Sequence, residues 1–290
     1  MGLRLKFNLV LLLVFLLGLG ITGYQSYELL HRNARDEVVR NAGVMMGAAL
    51  SMRGYTVGKI KPHLEARLAE EFLPQTVPAF AATEIMNELR KKYPEYAYKE
   101  ATLNPTNPRN RAVEWETDIV NEFRNRSGAE ISGTRMTPTG PSLYLARPIQ
   151  IKDPACLVCH SVPGAAPASM LKLYGENNGF GWKHMEIIGA QIVSVPMSLP
   201  VQNADRAFYT FMVSLTVVFV VLFLILNIML SLLIVRPIRE MSRAADQIST
   251  GNVDVADLNE SGRDEVSLLA KSFNRMRRSL EKAIQLIDRQ

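Results

Sequence analysis

Residues 155 to 160 read Ala155, Cys156, Leu157, Val158, Cys159, His160, and the chain of 290 residues holds two cysteines in all, both in this stretch. A Cys-x-x-Cys-His run is the attachment signal for c-type haem. The spacing has a mechanical reason. Two intervening residues turn the backbone enough for both sulfurs to meet one edge of a porphyrin and bond its two vinyl groups. The next residue, His160, is then delivered under the iron as the proximal ligand. The expectation is one covalent haem c, fixed by Cys156 and Cys159 and ligated by His160. Three other chemistries use cysteine pairs. A redox dithiol needs a strand-then-helix setting, whereas this pair follows "DP" and precedes "SVPGAAP". A zinc site needs four ligands, and outside the motif only His31, His63 and His184 could add a further nitrogen donor. A disulfide between the two cysteines would leave His160 without a role.

Haem c is attached outside the bacterial cytoplasm, so the chain must reach that compartment. The run "FNLVLLLVFLLGLGITGY", Phe7 to Tyr24, is uncharged and long enough to cross a bilayer. Arg4 and Lys6 before it keep that end in the cytoplasm. No clean small-x-small cleavage site follows, which favours an uncleaved anchor over a signal peptide. A second run, Phe208 to Val235, is too long and too apolar for a soluble core helix. Its one strongly polar side chain, Asn227, is expected to face a partner helix. Arg236, Arg239 and Arg243 behind it place the C-terminal end in the cytoplasm. The expected order is a cytoplasmic tail (1–6), a first span (7–24), an external domain (25–207), a second span (208–235) and a cytoplasmic segment (236–290), in a two-pass inner-membrane protein. The net charge of +5 follows largely from the membrane flanks. No basic stripe with interleaved aromatics suggests nucleic acid.

The external region must build the pocket that the motif serves. Val38, Ala42, Met45, Ala49 and Met52 recur at helical spacing, so a long helix is expected to leave the membrane along the domain. Pro74 and Pro78 break it. Ala82, Ile85, Met86 and Leu89 then mark a helix over Ala79 to Lys92. "YAYKEATLNPTNPRN" reads as a strand running into a Pro/Asn turn cluster. "RAVEWETDIVNEFRN" reads as a helix burying Val113, Ile119, Val120 and Phe123. "SLYLARPIQI" and "EIIGAQIVSVPM" are strands by composition, with the motif in the loop region between them. Helices first and antiparallel strands behind indicate an α+β domain of PAS-like shape.

At "FLPQTVPAFAATE", "YAYKEATLNPTNPRNRAVEWE", "LYLARPIQIKDPACLVCHSVPGAAPASM", "YGENNGFGW" and "GAQIVSVPM" the chain resembles a bacterial family of external c-type-haem sensor domains with a PAS-like fold. The similarity covers most of Arg32 to Leu199. In one branch of that family, the resemblance implies, the iron is held by the motif histidine and by a cysteine from the N-terminal helix. Both cysteines here belong to the motif, so a thiolate sixth ligand is impossible. The sixth position is then expected to be filled by Met45, Met46 or Met52, or left open; His63, His184 and Met197 are weaker candidates.

After the second span, Ile238, Met241, Ala245 and Ile248 form one short apolar strip, and Val266, Leu269, Phe273, Met276, Leu280, Ala283 and Ile287 form another. The linker "STGNVDVADLNESGRDE" joins them. The pattern resembles the HAMP signal-relay domain, an all-α coiled-coil segment in which two chains make a four-helix bundle, and so implies a homodimer. No kinase, cyclase or methyl-accepting stretch follows, so output is expected through a separate cytoplasmic effector, such as a kinase or chemotaxis-type protein, or through a longer receptor. The reading is a haem-based membrane receptor that responds to a gas, redox state or small ligand. It is not an enzyme. The alternative is a membrane-tethered c-type cytochrome for electron transfer, for which a two-state relay bundle has no use.

Overall fold

Two lengths of chain, Tyr27–Ala207 on one side and Met1–Ser26 with Phe208–Gln290 on the other, form separate units. The computed structural model describes residues 2–126, 128–252 and 254–287.

In Tyr27–Ala207 the architecture is set by which faces of the helices are apolar. Helix α1 (Leu3–Tyr55) contributes its C-terminal part to this unit, and a π-helical turn (Thr56–Ile60) and the short α2 (Lys61–Leu64) follow. The α1 stripe is Val38, Ala42, Met46 and Ala49, all fully buried. This corrects the expected stripe by one position. Met46 takes the central place, and Met45 and Met52 pack at its margins. Helix α3 (Pro78–Lys92) starts one residue before the expected Ala79, because proline suits the first helical position. It buries Ala82, Thr83 and Met86, while Ile85 and Leu89 stay exposed. Helix α4 (Glu114–Asn125) buries Ile119, Val120 and Phe123 as expected. Val113 is instead exposed, because it precedes the helix; its N–H donates to Glu116 Oε2 at 2.9 Å.

Four strands, β1 (Ala97–Thr102), β2 (Ile131–Thr137), β3 (Gly140–Gln150) and β4 (Ile187–Pro196), form an antiparallel sheet in the order β1-β4-β3-β2. Strand β2 was not expected. The alternation of β3 and β4 sends Leu143, Leu145, Val193 and Val195 to one face, against α1 and α3. It sends Ala146, Ala190 and Ile192 to the other, against α4. Each large aliphatic side chain so buried stabilises the fold by about 1.5–3 kcal/mol. The β3/β4 register shifts between Ile149 and Gln150, where β3 ends and the motif loop begins. Two further short helices, α5 (Leu157–His160) and α6 (Ala168–Tyr174), lie in the connection from β3 to β4.

In the other unit, two helices are long and apolar enough to cross a membrane. One is the N-terminal part of α1. The other is α7 (Ser198–Leu230), extended by a π-helical turn (Ser231–Val235). Leu13, Leu16, Leu17, Ile21, Val213 and Ile228 stand exposed along them, as lipid-facing side chains do. The Phe15 ring stacks on Phe219 with centroids 4.8 Å apart. Asn227 was expected to face a partner helix. It is buried, and its amide donates to the Phe223 carbonyl of its own helix at 3.0 Å, which satisfies that donor locally.

Helices α8 (Arg236–Ser249) and α9 (Glu265–Ile287) follow. Asp264 caps α9 by accepting from the Ser267 N–H at 2.8 Å. The α8 face that is buried is Met241 and Ala244, not Ile238 and Ala245, which are exposed. On α9 the buried pair is Ala270 and Asn274. Most of the expected strip, with Leu269, Met276 and Leu280 among it, is exposed, and the Ile287 side chain lies outside the described residues. Asn274 grips the linker: Oδ1 accepts from the Leu258 N–H at 3.0 Å, and Nδ2 donates to the Leu258 carbonyl and to Glu260 Oε1 at 2.9 and 2.8 Å. Asn274→Ala removes three hydrogen bonds from a fully buried side chain and should cost about 2–4 kcal/mol locally. Limited proteolysis should then cut the 250–264 linker faster than in the parent protein.

Candidate functional site

The backbone of the motif is a helical turn. Asp153 Oδ1 accepts from the Ala155 N–H at 2.9 Å and starts a 3-10 turn over Pro154–Cys156. The chain continues directly into α5. Cys156 and Cys159 are therefore three residues apart on one side of a continuous turn. His160 ends that turn, and the Ser161 N–H closes it onto the Leu157 carbonyl at 3.1 Å.

A glycine-rich loop before β4 fixes the imidazole. His160 Nδ1 lies 2.8 Å from the Gly179 carbonyl and 3.4 Å from Thr106 Oγ1. The carbonyl can only accept, so Nδ1 carries the proton and Nε2 keeps its lone pair. Burial pushes the His160 pKa down, against a raising contribution from the Gly179 bond, which keeps the ring neutral. The Trp182 indole stacks on the ring with centroids 3.9 Å apart. The Trp182 and Gly181 N–H groups donate to the carbonyls of His160 and Ser161. Asn104 holds the loop from the other side: its Oδ1 accepts from the Gly179 N–H and its Nδ2 donates to the Phe180 carbonyl, both at 3.2 Å.

Gly179 has φ +83°, and a Cβ there would sit 2.0 Å from Thr106 Oγ1 and 2.8 Å from Thr106 Cα. Only glycine fits.

Cys156, Cys159 and His160 line one cavity of about 340 Å³, walled elsewhere by Val57, Phe72, Ile149, Met170 and Ile188 among others. Both thiols are free. Burial pushes both up, helped at Cys156 by Asp153 and opposed by Arg53 and Lys61. A redox-active pair needs the reverse, a stabilised thiolate. Among the described residues no three His, Cys, Asp or Glu converge as metal ligands, so the four-ligand zinc alternative lacks its donors. Two neutral thiols beside one imidazole with an open Nε2, in a mostly apolar cavity, fit the needs of a covalently held haem.

The other candidates do not come to this cavity. Met46 is fully buried in the core between α1, α3 and the sheet, and Met45, Met52 and Met197 pack against that core. The helical spacing of Met45, Met46 and Met52 is accounted for by packing against the sheet. His63 is exposed on α2, and His184 is exposed with Nε2 3.2 Å from the Lys152 carbonyl. The methionine that does line the cavity is Met170 on α6. From α1 the cavity receives Arg53, whose Nη1 donates to both carboxylate oxygens of Glu100 (2.6 Å to Oε1). Glu100 is 3% exposed and also accepts from the Tyr98 hydroxyl at 2.7 Å. Burial would lower the Arg53 pKa, but Glu100 outweighs it and the guanidinium is held charged. Arg53, Asn104, Gly179 and Trp182 were missed as site residues, although three of them fall in phrases that carried the family resemblance.

Gly179→Ala should destabilise the domain by at least about 2 kcal/mol, from left-handed strain together with the overlap on Thr106. Gly164→Ala, where a Cβ meets open space, serves as the control. Thermal melts of the two variants should separate by several degrees.

Residues 31–196 match the Tll0287-like family, and residues 229–282 match the HAMP domain. Among solved structures, the cyanobacterial haem-protein Tll0287 is similar at 18% identity and a TM-score of 0.42, over 55% of this chain and 95% of that one. No curated protein matches. The match over 31–196 takes in both walls of the cavity and more than half of the sequence, and it makes this chain a member of the Tll0287-like family, with a HAMP domain behind it.

Proposed function

We propose that this protein is a haem-based membrane receptor, in which Cys156 and Cys159 hold one haem c through thioether bonds and His160 Nε2 binds its iron. The observation that carries the reading is the imidazole of His160. Its Nδ1 proton is committed to the Gly179 carbonyl and its ring is clamped by Trp182, with both thiols on the preceding turn of the same cavity. Bound haem supplies an iron that can change oxidation state or take up a small ligand. The protein's part is to exclude water with the apolar wall, keep His160 neutral and hold its ring in one orientation. No residue is assigned a catalytic role. The external domain lies outside the inner membrane and both termini lie inside, which the basic flanks of the two apolar helices support.

The HAMP domain supports a relay function, with a separate effector reading it. The exposed strip of Leu269, Met276 and Leu280 supports a homodimer. Leu269 and Met276 are one heptad apart, and such a strip is buried in a coiled coil only by a second helix.

Two measurements test the reading. In a denaturing gel the haem stain should travel with the polypeptide and vanish in Cys156→Ala/Cys159→Ala; loss of stain from the parent protein would end the covalent assignment. Leu269→Cys or Met276→Cys should cross-link between chains in membranes, whereas Lys282→Cys, on the opposite side of α9, should not. Equal cross-linking at all three sites would argue against the parallel bundle.

A further inference from the structure

If the haem is held as proposed, it would occupy a cavity to which α1 supplies no thioether. What α1 supplies is a guanidinium. Arginine stays protonated and cannot bind iron, but it donates up to five hydrogen bonds in a planar fork. The Arg53 bonds to Glu100 both leave from Nη1, so among the described residues Nε and Nη2 have no partner in the wall. The guanidinium is anchored, because Glu100 is almost fully buried and is held in turn by Tyr98. Pulling Arg53 away would strand a buried carboxylate. The fork is thus fixed at one end and open at the other. The charged residues of the wall are Arg53, Lys61 and Arg109 with Glu100 and Asp153, and Arg109 is itself paired with Glu84 on α3, which leaves Arg53 and Lys61 as the cations available to a ligand.

We propose that the receptor's ligand is a small species that carries negative charge or develops it on binding iron, such as an azide-like or nitrite-like anion or a polarised diatomic. Arg53 is the donor that selects it. The guanidinium keeps Nη1 on Glu100 and offers Nε and Nη2 to the ligand, so no buried charge is left unpaired. Tyr98 and Glu100 act as positioning residues. A neutral nitrogen base gains nothing from Arg53. The residue that reads the ligand belongs to α1, the same helix that contains the first apolar span.

The inference rests on the haem reading, and the full-length protein in detergent separates the two. Haem stain in the denaturing gel reports the haem reading; its absence overturns that reading and this one with it. With stain present, the ferric protein is titrated with sodium azide and with imidazole, and the C–O stretch of the ferrous carbon monoxide complex is recorded. Arg53→Leu/Glu100→Leu removes both charges together, so that neither is left buried alone. It should weaken azide about ten- to a hundredfold, change imidazole affinity less than about threefold, and shift the C–O stretch. Arg53→Lys keeps the charge beside Glu100 but loses the fork, and should weaken azide by a smaller factor. If circular dichroism shows the double variant unfolded, Arg53→Lys decides. The proposal fails if a folded, haem-loaded variant binds azide as the parent does with an unchanged C–O stretch. It fails equally if the parent's ferric spectrum does not respond to millimolar azide.

Discussion

The hydrogen bond from His160 Nδ1 to the Gly179 carbonyl is the constraint around which the Tyr27–Ala207 unit is arranged. It sets the tautomer, and the tautomer decides which nitrogen is open to the cavity. For that bond to exist, the loop carrying Gly179 must come within van der Waals reach of Thr106, which demands a glycine with positive φ. The loop must also be held there. Asn104 does this with both ends of its carboxamide, and Arg111 adds a bond from its guanidinium to Asn178 Oδ1 at 3.0 Å. Asn104 and Arg111 flank the Pro/Asn turn between β1 and α4, so the orientation of a motif residue is decided by a segment more than forty residues upstream.

What the amino-acid order shows by itself follows from the range of each interaction. The Cys-x-x-Cys-His turn is legible because its spacing and its backbone turn are local, although the orientation of His160 is not. The two apolar runs are legible because a bilayer demands a minimum length. The α1 and α3 helices were found but their inward faces were rotated, since which flank of a stripe is buried depends on the sheet that covers it. Met46 against Met45 and Thr83 against Ile85 are cases of this kind. Strand β2 left little trace. It is an edge strand whose side chains alternate between half-buried and exposed, and Gly133 at its centre is covered by the ring of Tyr144 across the β2/β3 pair. Arg53 was invisible because its meaning lies in Glu100, 47 residues away in sequence and adjacent only after folding.

The HAMP segment shows the same dependence in another form. Helix α9 has two demands on its circumference. Ala270 and Asn274 serve the chain's own linker and α8, and Leu269, Met276 and Leu280 stay uncovered. Reading period alone finds the second of these faces and misses the first. The polar Asn274 at 0% exposure separates them, because a buried carboxamide must be spoken for by backbone groups, and here the linker backbone provides them.

The two asparagines that meet at the loop age differently. Asparagine loses its amide when the backbone nitrogen of the next residue attacks the side-chain carbonyl and closes a five-membered imide. Asn104 is followed by Pro105, whose nitrogen has no hydrogen and cannot close that ring. The clamp on Gly179 is therefore chemically durable. Asn178 is followed by Gly179, the least hindered neighbour for the same attack. Conversion of Asn178 to aspartate or isoaspartate would put a negative charge, or an extra backbone carbon, one residue from the carbonyl that orients His160. The glycine that the fold requires at this point is also where the loop is most exposed to slow covalent damage, and Arg111, by holding the Asn178 carboxamide in one rotamer, is the group that restrains it.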